Sequence, residues 1–143
     1  MAIFLDTGFF LGLCHPLDPN HESAVNIFRR MSTGEFGMIY TSPFIINETA
    51  TLIMVRTDNN HILLDRFFSY TNGDECFVEV LPWKADFEPK IKKLFLKSNQ
   101  EGIPKKQWRS YTDVSNIIYC QEYHIDKIAA FDSHFEAFLA WIH

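Results

Sequence analysis

Short apolar runs, each stopped by a polar residue or a breaker, recur along the chain. Ala2–Leu5 ends at Asp6, Met38–Thr41 at Ser42, Phe77–Leu81 before Pro82, and Ile128–Phe131 at Asp132. Their length and β-branched or aromatic bias predict buried strands. Between them, apolar residues recur at helical spacing over Asn20–Met31, with Ala24, Ile27 and Phe28, and over Pro43–Arg56 and Ile62–Tyr70. Ser42-Pro43 reads as a helix start, because proline at the first helical position gives up only an N–H that would be unpaired there. A longer helix is predicted over Asp86–Gln100, with Phe87, Ile91, Leu94 and Phe95 on one side, Pro89 in its first turn and Gly102 as terminator. Ser110–His124 and Ser133–Ile142 are the last two predicted helices.

Strands alternating with helices imply a three-layer α/β/α sandwich around a central, mostly parallel, four- to five-stranded sheet with right-handed crossovers. A single domain over residues 1–143 follows from the length, and a chain that is 47% hydrophobic and 15% aromatic has material for one core. The apolar start lacks a basic leader and carries Asp6 in its middle, which argues against an export signal. Charged residues interrupt every long apolar run, so no membrane span is expected. Cys14, Cys76 and Cys120 have neither zinc-knuckle nor redox spacing and read as reduced thiols, in keeping with a cytoplasmic protein.

In such a sheet, ligands bind beyond the carboxyl ends of the strands, and Asp6 and Asp132 each directly follow an apolar strand. Asp6 is flanked by Ile3-Phe-Leu and Phe9-Phe-Leu, where an unpaired carboxylate is costly; capping the next helix is its structural alternative. Glu48 shares a helix face with Ile45, Leu52 and Val55, so it falls on a stripe expected to be buried, where an internal salt bridge is the alternative. Asp113 in Ser110-Tyr-Thr-Asp fits a capping box, and Asp132 could cap the final helix. Carboxylates gathered at one sheet edge repel one another unless a divalent cation neutralises them. Oxygen-only ligation suits magnesium or manganese and, with it, phosphodiester hydrolysis. The histidines show no convincing metal-ligand spacing.

The net charge of −5 disfavours a nucleic-acid partner, but its distribution does not. Seven of the thirteen Lys and Arg residues lie between Lys90 and Arg109, where Glu101 is the single acid. A solvated helix face and a phosphate-binding surface are both open readings of that cluster. Lys105, Lys106 and Arg109, nearest Asp113, are the candidate nucleic-acid backbone contacts, and Trp108 could either stack on a base or serve as an anchor in the core.

Four segments in order resemble the PIN-domain nucleases, in particular the VapC-like toxins of toxin-antitoxin pairs. They are Ile3-Phe-Leu-Asp-Thr, Thr41-Ser-Pro-Phe-Ile-Ile-Asn-Glu, Ser110-Tyr-Thr-Asp-Val-Ser and Ala130-Phe-Asp-Ser-His-Phe. The resemblance implies a metal-dependent endoribonuclease with Asp6, Glu48, Asp113 and Asp132 as catalytic, metal-binding acids, and Thr7 and Thr112 in support. It also implies single-stranded or exposed RNA as substrate, a homodimer and an antitoxin protein. Asp18 and His21 resemble a frequent non-catalytic feature of the next helix start, and Phe135 the aromatic after the last acid. Ala130 departs from the pattern, since many relatives carry Thr or Ser there. Rival readings are a degenerate PIN module that binds RNA or a partner without cutting, and a solitary RNA-processing nuclease. A phosphatase of the haloacid dehalogenase type is disfavoured because it needs a second Asp where this chain has Gly8.

Overall fold

A computed structural model describes all residues, Met1–His143. The central strand β1 (Ala2–Leu5) has Ile3, Phe4 and Leu5 fully buried, as expected of a strand covered on both faces. The run after Asp6 forms α1 (Thr7–Cys14), a helix buried nearly all round and therefore without the amphipathic period that would announce it. It is followed by α2 (His21–Ser32), β2 (Met38–Thr41), α3 (Pro43–Arg56), α4 (His61–Asn72), β3 (Glu79–Val80), α5 (Phe87–Ser98), α6 (Tyr111–Glu122), β4 (Lys127–Ala129) and β5 (Ala140–Ile142). The sheet has five strands in the order β3-β2-β1-β4-β5, all pairs parallel. α1 packs against α2, α3 and α4, and α5 packs against α6. The result is the expected α/β/α sandwich. No helix is long and apolar enough to cross a membrane.

Local chemistry sets several boundaries. Ser42 caps α3 by accepting from the Ile45 N–H, with Pro43 at the first helical position. Asn60 caps α4 by accepting from Ile62 and Leu63. α5 starts one residue after Asp86, leaving Pro89 in its first turn, but ends at Ser98, before the predicted Gln100. The Asn99 side chain causes this early stop by donating to the carbonyls of Phe95 and Arg109 and accepting from the Arg109 N–H. Asp18 accepts from the Asn20 N–H, and His21 Nδ1 lies 2.7 Å from the Gly12 carbonyl, which fixes the turn between α1 and α2.

The predicted helix Ser133–Ile142 is not formed. A 3-10 turn occupies Ser133–Phe135, and the chain then extends into β5, pairing Lys127 with Ala140 and Ala129 with Ile142. The unpaired edge of β4 needs backbone partners, and satisfying it outweighs the local helical spacing. At the other end of the strands, Gly37 has φ +71° and lies where a Cβ would collide with the Met1 carbonyl, beside the Met38 N–H bond to that same oxygen. Gly37→Ala is therefore expected to cost about 1–3 kcal/mol, read as a lower denaturation midpoint. An unchanged midpoint would show that the β1–β2 entry is not constrained there.

Candidate active site

The carboxyl ends of β1 and β4 lie side by side, with the Asp6 N–H donating to the Ala129 carbonyl at 3.1 Å. This register brings Asp6, Glu48, Asp113 and Asp132 to one crevice of about 320 Å³, together with Thr7 and Arg56. Asp6 occupies the N-cap position of α1 but makes no capping bond through its side chain. Its Oδ1 instead accepts from Asn116 Nδ2 at 2.9 Å, across from α6. Burial, then the charge of Asp113, and more weakly that of Glu48, raise its carboxyl from 3.8 to about 7 against the opposing Thr7 N–H and Asn116 hydrogen bonds.

Glu48 is half-buried, and Val55 is 67% exposed, so the stripe drawn through Ile45, Leu52 and Val55 is not a buried face. The buried row of α3 is Ile45, Thr49 and Ile53, one residue round the helix. Glu48 forms no salt bridge; its Oε2 accepts from the Thr7 hydroxyl at 2.6 Å. Asp113 does form the capping box, its Oδ2 accepting from the Ser110 N–H at 3.1 Å while Ser110 Oγ accepts from the Asp113 N–H at 3.0 Å. Asp132 likewise accepts from the His134 N–H and caps the 3-10 turn. These structural roles coexist with a place in the crevice.

Two residues that complete the site carry little signal in the sequence. Asn116 is fully buried, and its Oδ1 has no partner; its one clue is a position three residues after Asp113, on the same side of α6. His134 Nδ1 lies 3.0 Å from Asp113 Oδ2 and 3.3 Å from Asp132 Oδ2, holding two acids from separate elements. Thr112 neither lines the crevice nor bonds to an acid; its carbonyl accepts from Ser115. Ala130 is fully buried, carries no hydroxyl and lies outside the crevice lining.

The basic cluster divides. Lys90 pairs with Glu122 and Lys92 with Glu88, on the far part of α5. Lys106 and Arg109 line a separate cavity against Ser133 and His134, next to the acids, whereas Lys105 lines neither. Trp108 is 49% exposed, with its indole N–H held by the Ile103 carbonyl.

Four carboxyls and the Thr7 hydroxyl in the crevice make an oxygen donor set of the kind that suits a hard divalent cation. No three of the carboxylate, imidazole or thiol groups stand close enough to form a ready-made metal cage.

A parallel sheet in this strand order, with these acids at its carboxyl edge, is a fold shared with VapC structures. No family model matches the chain. The chain is similar to a VapC ribonuclease of Archaeoglobus fulgidus, 26% identical over 140 residues that cover 94% of this chain and 80% of the relative. Its fold matches that of VapC20 from Mycobacterium tuberculosis, a sarcin-ricin loop cleaving toxin, with a TM-score of 0.74 at 22% identity over 94% of this chain and 93% of the other. It also matches VapBC2 from Rickettsia felis, solved bound to a DNA fragment from its promoter, with a TM-score of 0.67 at 14% identity over 99% and 97% of the two chains.

Proposed function

We propose that this protein is a metal-dependent endoribonuclease, the toxin of a toxin-antitoxin pair, and that Asp6, Glu48, Asp113 and Asp132 hold magnesium or manganese. The observation that carries this is Asp6, a carboxyl buried among other acids at a sheet edge with an amide rather than a cation as its partner. A purely structural acid in that place would be paired with Lys or Arg. A bound divalent cation would supply neutralising charge, an acidified water and stabilisation of the leaving oxygen.

The chain's own residues prepare that chemistry. Thr7 orients Glu48, Asn116 orients Asp6, and the Ser110 cap with His134 holds Asp113. Arg56 on the crevice wall is placed to attract a phosphodiester to an otherwise acidic cleft. An antitoxin protein would silence the site by covering the crevice, and the chain would act as a homodimer in the cytoplasm.

Purified protein incubated with a mixed RNA pool should cut it with manganese and not with chelator, and Asp6→Asn should abolish cutting. A second reading is a module that binds RNA without hydrolysis, in which Asp113 and Asp132 serve only as the caps they form. Manganese-independent RNA binding with no cleavage, in protein freed of any antitoxin, would select it.

A further inference from the structure

Beside the acid crevice, the loop between α5 and α6 builds a second concavity that the acids do not enter. Its polar half, about 270 Å³, is lined by Lys106, Gln107, Arg109, Ser133 and His134, and by no carboxylate. Its apolar half, about 490 Å³, is lined by Phe95, Trp108 and Tyr111, and the two halves share Arg109. We propose that this concavity is a nucleotide subsite for RNA flanking the cleavage point, with a phosphate on Lys106 and Arg109 and its base on Trp108. This rests on the ribonuclease reading and extends it to a named place for the neighbouring nucleotide.

The loop is held in shape before any ligand arrives. Asn99 clamps both backbone polar groups of Arg109, and the Trp108 indole N–H closes on the Ile103 carbonyl. Arg109 Nε donates to the His134 carbonyl at 2.9 Å, and its guanidinium lies 5.0 Å over the Phe138 ring. That leaves the terminal nitrogens of Arg109 without a protein partner, and Lys106 forms no ion pair. A cation fixed on its stem with free donors is suited to phosphate. Trp108 keeps an exposed ring on a fixed edge, which suits base stacking at little entropic cost.

The position relative to the acids fits one strand. His134 walls the polar half and contacts Asp113 and Asp132 on its other side, while Ser110 lines both the apolar half and the crevice. From Tyr111 an aromatic row continues through Phe44, 6.1 Å away, to Trp83, a further 5.3 Å between ring centres. Charge on one side and aromatic faces on the other, leading away from a hydrolytic cleft, match single-stranded RNA.

The test is binding of a short fluorescent oligoadenylate, and of an abasic ribose-phosphate chain of equal length, measured by anisotropy in chelator. Trp108→Ala should weaken oligoadenylate binding about tenfold or more, leave the abasic chain unaffected, and be rescued by Trp108→Phe. Lys106→Gln should weaken both ligands alike and lower the slope of log affinity against log salt by about one. Unchanged oligoadenylate binding by Trp108→Ala, or an equal loss for both ligands, overturns the subsite. So does normal RNA binding with a shift to a smaller species in sedimentation, which assigns the hollow to contact between copies of the chain. If the wild type cuts RNA and Trp108→Ala binds it normally, the subsite alone falls; if the wild type neither binds nor cuts, the ribonuclease reading falls with it.

Discussion

Asp6→Asn is expected to make the cation-free protein more stable at pH 8 while removing its nuclease activity. In the folded state Asp6 keeps its proton up to about 7, whereas an unfolded chain releases it near 3.8. The folded state thus binds the extra proton between those values, and stability falls as pH rises through that window. The gap corresponds to about 4 kcal/mol, a stability fully present below pH 4, lost progressively as pH rises, and gone above pH 7. An Asn at the same place carries no charge to desolvate. Urea titrations of both proteins in chelator at several pH values should give curves that coincide in acid and diverge above neutrality, the variant being the more stable. Parallel curves, or a less stable variant at pH 8, would show that Asp6 is solvated or paired in a way its surroundings do not suggest.

Asn116→Ala should act in the opposite direction. Its amide is the side-chain donor to Asp6, so removing it deprives a buried carboxyl of a charge-assisted bond while also removing an unsatisfied oxygen. A bond of that kind contributes about 1.5–3 kcal/mol, and the loss should be largest at pH 8, where Asp6 is ionised. Combined with Asp6→Asn, the penalty should shrink, because the partner charge is gone; a double-mutant cycle measures that coupling. Strictly additive effects would mean that the two side chains do not depend on each other.

The same two residues mark how far the chain could be read without its structure. Strands β1, β2 and β4 are legible because each lies in a short apolar run, and Asp6 directly follows β1; β4 ends at Ala129 rather than Phe131, so Asp132 lies three residues beyond it and takes its place from the 3-10 turn it caps. α1 is not, since a helix buried all round has no period to detect. The end of the chain misled for another reason: Phe135, Phe138 and Leu139 are helically spaced, but the exposed edge of β4 offers Ala140–Ile142 a ladder that local spacing cannot register. The apolar spacing around Glu48 marks a row that α3 does not bury; its buried row is the neighbouring one. Asn116 and His134 leave little trace in the sequence because their importance comes from partners on other elements.

Asp113 and Asp132 are tied into caps that start α6 and the following 3-10 turn, whereas Asp6 supports no such cap. These three acids therefore carry unequal weight in the fold: loss of Asp113 or Asp132 also removes the hydrogen bonds that start a turn. Asp6→Asn removes a buried charge without removing a cap, so of the three Asp6 is the one whose replacement leaves the local fold intact.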